Sequence, residues 1–153
     1  MRKESKLPVA FKNPKNEAVA SLYWTALLFK KVSKNFLFPF LSSDAQFNIL
    51  LLLNDNNSKM TQKDLSEKLI VDKSNITGMI DRMEKINLLK RTPHSADNRS
   101  YIIQLTNKGK NLANKLEKLY LKKINTALNG LSNDEIEKYI NINEKIRNGL
   151  LSL

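Results

Sequence analysis

"IVDKSNITGMIDRMEKINLLKRTPHSADNRSYIIQLTNKG", Ile70 to Gly109, is the stretch on which the fold of this chain turns. Its first part has a helical period. Ile76, Met79, Ile80 and Met83 fall on one face, and Ser74, Asn75, Thr77, Gly78, Asp81 and Arg82 fall on the other. Asp72 stands where a helix cap belongs, so the helix is expected to start at Lys73. "LLKRT" and "SYIIQLT" then read as two strands. Between them "RTPHSADNRS" reads as a loop with two arginines, a proline and an aspartate, and no large apolar residue to bury.

Working backward, Thr61-Gln62-Lys63-Asp64 opens another short helix, with Leu65 and Leu69 inward. Two short helices on a tight turn, then a hairpin with a projecting loop, is the plan of a winged helix-turn-helix, whose second helix lies in the DNA major groove. The outer face of that helix must carry short polar groups that reach base edges. Ser74, Asn75 and Thr77 meet that need, Asn by bidentate contact with adenine and Ser and Thr as adaptable partners. Gly78 in mid-helix costs about 1 kcal/mol relative to Ala, which close approach to a groove or packing on a neighbouring helix would each justify. Arg99 at the hairpin tip is a candidate for the minor groove, where the potential is most negative, with Asp97 set to aim it. Asp and Asn are also ordinary turn residues, so a purely structural loop is the other reading. Arg91, Lys90 and Lys59 are either phosphate contacts or solvated charges, and His94 reads as a solvated loop residue.

Further out, Asn13-Pro14 has the form of a helix start, Asn as cap and Pro at the first position. Apolar residues recur through Ala18, Leu22, Ala26, Phe29, Val32 and Phe36, widened by Val19, Tyr23, Leu27 and Leu28. That helix is apolar on more than one side and needs more than one neighbour. Pro39 stops it. Ser43 to Gln46 reads as a capping box before "FNILLLL". After the strands, Thr106 to Gly109 caps a long helix that Gly130 ends, and Ser132 to Glu135 is a further capping box before the last helix. Residues 1–12 read as a flexible basic tail.

Composition sets the outer bounds. The chain has 153 residues, with 26 Lys and Arg against 15 Asp and Glu, for a formal charge of +11. That balance favours an anionic partner without choosing among nucleic acid, acidic protein and anionic membrane. There is no cysteine and one histidine, which excludes disulfides and thiol redox sensing and argues against a zinc site. The longest apolar run, Ile49 to Leu53, is too short to span a bilayer. The basic start has no apolar stretch behind it, so the expectation is a cytoplasmic protein with no cofactor. No nucleophile-base pair, phosphate-binding glycine loop or metal spacing supports an enzyme.

The segments "LSEKL", "VDKSNIT", "IDRMEK", "LLKR", Asp97-x-Arg99-Ser100 and "LTNKG", in that order, resemble the DNA-binding core of the multiple antibiotic resistance regulator (MarR) family, over about Thr61 to Gly109. The resemblance implies a mainly α fold: a winged helix-turn-helix core over about 43–106 with a two-stranded β-hairpin wing, flanked by dimerisation helices at about 13–38 and 107–151, all within one domain spanning 13–153. It implies a homodimeric transcriptional regulator on a pseudo-palindromic duplex DNA site. The recognition helix would be Lys73 to Lys85 and the wing Arg91 to Ser100. The DNA-binding set is then Lys73, Ser74, Asn75, Thr77, Gly78, Arg82, Arg91, Asp97 and Arg99. Asn87 departs from the family's usual Gly, a change that Asn tolerates because it enters the left-handed region. Relatives often bind small aromatic molecules between the dimerisation helices and the winged domain. Tyr23, Trp24, Phe36 and Phe47 either line such an effector site here or are ordinary core. A winged helix used only for protein contacts is the competing reading, since fold alone does not give function.

Overall fold

The computed structural model describes Leu7, Phe11–Asp55, Ser58–His94 and Asp97–Leu153, with the side chains of Lys73, His94 and Asp97 to Arg99 outside that description. Most of the tail read at residues 1–12 therefore lies outside the described residues, as does the tip of the hairpin at 95–96. The elements run α1 (Pro14–Leu37), α2 (Asp44–Asn54), β1 (Met60–Thr61), α3 (Gln62–Leu69), α4 (Lys73–Lys85), β2 (Leu89–His94), β3 (Asp97–Leu105), α5 (Asn107–Leu128) and α6 (Asn133–Leu151). They form two compact units, one ending at Leu116 and one spanning Glu117–Leu153.

The first unit contains the sheet and α1 to α4. Its core is built from Phe47, Ile49, Leu50 and Leu53 of α2, Leu65 of α3, Ile76, Ile80 and Met83 of α4, and Leu89 and Ile103 of the hairpin, each at most 3% exposed. The four apolar positions expected to face inward on α4 are all buried. Full burial of side chains of this size contributes about 1.5–3 kcal/mol each. The sheet is antiparallel in the order β1-β3-β2. Its third strand was not expected from sequence: Met60 and Thr61 pair with Ile103 and Ile102. The hairpin strands also run further than expected. Most of the segment read as loop is strand, with Thr92 opposite Ile102, Pro93 opposite Tyr101 and His94 opposite Asp97 across a register shift. Pro93 is accommodated because β2 is an edge strand, where a missing N–H breaks no inner ladder.

Helix ends follow local chemistry. The Asn13 side chain accepts from the Lys15 amide at 2.8 Å. Thr61 and Asp64 form a full capping box at α3, and Ser132 and Glu135 form one at α6. The box expected at Ser43 is half made. Ser43 accepts from the Gln46 amide, but Gln46 Oε1 turns to the Ser42 amide and hydroxyl, at 2.8 and 2.9 Å. Asp72 holds the cap position of α4 without a side-chain cap bond. Helices α3 and α4 end alike. Val71 N donates to Ser66 O and Leu88 N to Met83 O, and the residue before each, Ile70 and Asn87, is left-handed with φ of 52° and 61°. Asn87 thus adopts the conformation expected of it.

In the second unit α6 has no buried residue, although Tyr139, Ile140, Ile142 and Leu150 are apolar and each more than half exposed. Helix α1 in the first unit likewise exposes Val19, Tyr23, Leu28 and Val32 by half or more.

Candidate nucleic-acid interface

Helix α4 buries Ile76, Met79, Ile80 and Met83 and turns Ser74, Asn75, Asp81 and Arg82 to solvent. Thr77 and Gly78 are half-buried between the two faces. Gly78 has open space on one side and a guanidinium on the other: a Cβ there would stand 3.4 Å from Arg82 Nη1. Sequence reasoning missed Gln62, whose Nε2 donates to Thr77 Oγ1 from the first turn of α3. The partner lies fifteen residues away, and only the turn between α3 and α4 brings it near.

Arg91 is held internally. One guanidinium nitrogen donates to Glu84, the other to Asp81, and its backbone N–H donates to Glu84 Oε1 at 3.0 Å. The side chain is 22% exposed. Burial is the largest single influence on its proton affinity and lowers it, but the bonds and charges of Asp81 and Glu84 together outweigh it and raise the pKa above the ordinary value. The guanidinium stays charged and shares its charge with two carboxylates of α4. Lys90 and Lys59 are exposed. The side chains of Lys73, Asp97 and Arg99, the last two being the wing pair, lie outside the described residues, although Asp97 and Arg99 are placed in β3.

The turn after α4 is fastened to the start of α5. Thr106 Oγ1 donates to the Asn87 carbonyl at 2.7 Å and accepts from the Gly109 amide at 3.0 Å, and Lys108 Nζ donates to the Ile86 carbonyl at 2.8 Å.

Tyr23, Trp24, Phe36 and Phe47, named for an effector, line neither of the two cavities described below. Phe47 is core at 3% exposure, Phe36 is half-buried, and Tyr23 and Trp24 meet edge to face, with ring centres 6.4 Å apart, on the exposed side of α1. Two cavities of the first unit adjoin Phe40. One of about 440 Å³ is lined by Phe38, Phe40, Leu41, Arg82, Lys85 and Ile86 among others. Another of about 400 Å³ shares Phe40 and Ile86 and adds Lys108 and Lys115. Lys115 Nζ sits 4.5 Å from the centre of the Phe40 ring. Among the described residues no group of three or more His, Cys, Asp or Glu could hold a metal, and no helix is long and apolar enough to cross a membrane.

Residues 43–101 match the model of the MarR family. An uncharacterized HTH-type transcriptional regulator of Bacillus subtilis, YfiV, is 38% identical over 91 residues, which is 59% of this chain and 56% of that protein. The chain therefore spans little more than half the length of that relative. Among solved structures, AbsC, a MarR family transcriptional regulator from Streptomyces coelicolor, superposes with a TM-score of 0.82 at 20% identity, covering 95% of this chain and 99% of that one. The S. aureus MepR–DNA complex gives 0.76 at 21% identity, covering 84% and 94%. At these identities the likeness is one of fold.

Proposed function

We propose that the chain is a MarR-type regulator, similar to that family over its winged core, and acts as a homodimeric transcriptional regulator binding a pseudo-palindromic duplex site. Helix α4 enters the major groove and the Arg99 wing enters the minor groove. The observation that carries this reading is the split of α4: one face is packed to completion, and the other presents Ser74 and Asn75 beside Arg82, which makes no ion pair among the described residues. Short polar groups there can meet base edges, and Arg82 with the remaining exposed lysines supplies phosphate contacts. The +11 charge favours the encounter.

Dimerisation is supported by α1 and α6. A 19-residue helix with no buried side chain gets little stability from propensity alone, so its apolar face requires a covering surface. A second copy supplies two such faces at once. The two recognition helices would then stand about 34–36 Å apart, one turn of DNA.

An effector, in this reading, is an aromatic anion taken at the Phe40 cavities, where Arg82, Lys85, Lys108 and Lys115 supply cations and Phe38, Phe40 and Ile86 an apolar wall. Occupying them would bear on Arg82 and on the end of α4. Release follows only if the ligand binds better to a form that does not fit the grooves.

The test is selection of bound fragments from the source genome, followed by footprinting of the recovered duplex. A two-fold site whose halves lie about one helical turn apart supports the proposal. Binding that is equal on every sequence, or absent at low salt, overturns it.

A further inference from the structure

Arg91 carries a full charge on β2, next to the helix read as the DNA reader, yet its geometry points inward. Its two terminal nitrogens divide between Asp81 and Glu84, residues one turn apart on α4, and its backbone amide bonds Glu84 as well. Glu84 is thereby held at both oxygens, Oε1 by the amide and Oε2 by the guanidinium. Asp81 lies on the exposed outer side of α4, its side chain 57% exposed, where a bare carboxylate would face phosphate oxygens. Arg82, the neighbouring arginine on α4, makes no ion pair among the described residues.

Resting on the DNA-binding reading above, we propose that Arg91 is a positioning residue and not a phosphate contact: it clamps the first wing strand to the recognition helix and offsets half of the negative charge that Asp81 and Glu84 place on that helix where DNA approaches. The clamp makes helix and wing one piece, so that seating α4 in the major groove fixes where the hairpin meets the neighbouring minor groove. A lysine cannot replace it, because a single ammonium lacks the planar fork that reaches two carboxylates at once.

The experiment is a cycle of four full-length proteins: the parent, Arg91→Met, the Asp81→Asn/Glu84→Gln pair, and all three changes together. Each is titrated by fluorescence anisotropy against the duplex that the parent recovers from genomic fragments. A clamp predicts that Arg91→Met weakens binding roughly tenfold in the parent background and by much less once both carboxylates are neutral, since contacting charges couple strongly. Arg91→Lys then fails to restore affinity, and the slope of log affinity against log salt stays at the parent's value. A phosphate contact predicts the reverse: an equal or larger loss in the neutralised background, rescue by Lys, and a slope reduced by about 0.9. That pattern overturns the proposal. Urea unfolding of the same four proteins, without DNA, reads the clamp independently. Coupling there with no binding of the parent to any duplex overturns the DNA reading and the phosphate-masking half of this proposal. Additive unfolding midpoints overturn the clamp itself.

Discussion

Gly109 rests its α-carbon on the carbonyl of Leu88: a Cβ at that position would stand 2.1 Å from the oxygen and 3.1 Å from the carbonyl carbon. The same carbonyl accepts the Thr106 amide at 3.0 Å, so it cannot swing away without giving up a backbone bond. Gly109→Ala gains about 1 kcal/mol of helix propensity and incurs an overpacking penalty of about 1–3 kcal/mol. With backbone as the obstacle the penalty prevails. We expect a lower urea midpoint, with the largest loss of amide protection in Asn87 to Leu89. A midpoint above the parent's would show that α5 can slide off the turn.

Ile70 and Asn87 occupy equivalent left-handed positions after α3 and α4, and only one of them suits the conformation. A left-handed L-residue costs about 1–2 kcal/mol, and Asn relieves this by local hydrogen bonding. Ile70 is β-branched and 88% exposed, so it recovers nothing by burial. Ile70→Asn is expected to stabilise the chain by about 1 kcal/mol. Asn87→Ala is expected to destabilise it by a similar amount. Chemical unfolding of both variants decides: equal midpoints for Ile70→Asn and the parent would mean that the turn relaxes in solution.

These two turns also mark how far the sequence could be read. Asn87 was legible because Asn is a residue that enters the left-handed region, whereas an isoleucine at that position carries no signal. The buried face of α4 was legible because its period is local. Strand β1 was not, being two residues long and defined only by partners more than forty positions away. Arg91 was read as a possible phosphate contact because charge and position in the hairpin are visible in sequence, while the convergence of Asp81 and Glu84 on it depends on how β2 lies along α4. Gln62 escaped for the same reason.

Acid should weaken the chain through its capping boxes. Asp64 is held below the ordinary carboxylate range by the Thr61 backbone amide first and its hydroxyl second, and Glu135 by the same pair of donors from Ser132. A carboxyl depressed in the fold contributes stability that is complete above its unfolded pKa and is lost as pH falls through the folded one. Stability should therefore decline as pH falls from the ordinary carboxylate value to below it. Asp64→Asn should be less stable than the parent at neutral pH and flatter across that window. A parallel pH dependence in the two proteins would remove Asp64 from the account.

Asn75 and Arg99 should fail differently on DNA. Asn75 stands exposed on the outer part of α4. If it reads a base, Asn75→Ala relaxes preference at one position by about 1–3 kcal/mol and leaves random DNA unchanged. Arg99→Ala should weaken many sequences together, because the minor-groove code is degenerate. For the parent, affinity should fall by about 10³–10⁵ between 50 and 200 mM salt if 6–10 phosphates are engaged. Competition titrations with matched and scrambled duplexes separate these outcomes. Equal loss on both duplexes for Asn75→Ala would assign it to the backbone, and an unchanged affinity for Arg99→Ala would remove the wing from the minor groove.

A second copy of the chain is expected to cover the exposed faces of α6 and α1. Tyr139, Ile140 and Leu150 of α6 are 53%, 54% and 62% exposed in a helix with no buried residue. Tyr23 and Leu28 of α1 are 62% and 63% exposed. Apolar side chains left exposed along a helix in this way mark an interaction site, and a stable interface buries more than about 1,000 Å² in total. If these faces meet a second chain, Ile140→Asp places a charge in a desolvated seam and should yield monomers in sedimentation velocity at micromolar concentration. Affinity for the two-fold duplex should fall with it, because two linked recognition helices bind far more tightly than one. Asp at Lys138 is the control, since that side chain is 69% exposed and pairs with Asp134 at 2.6 Å on the helix surface; Lys138→Asp should leave the dimer intact. A parent that sediments as a monomer, or an Ile140→Asp variant that remains dimeric and binds DNA as before, would take α6 out of the interface.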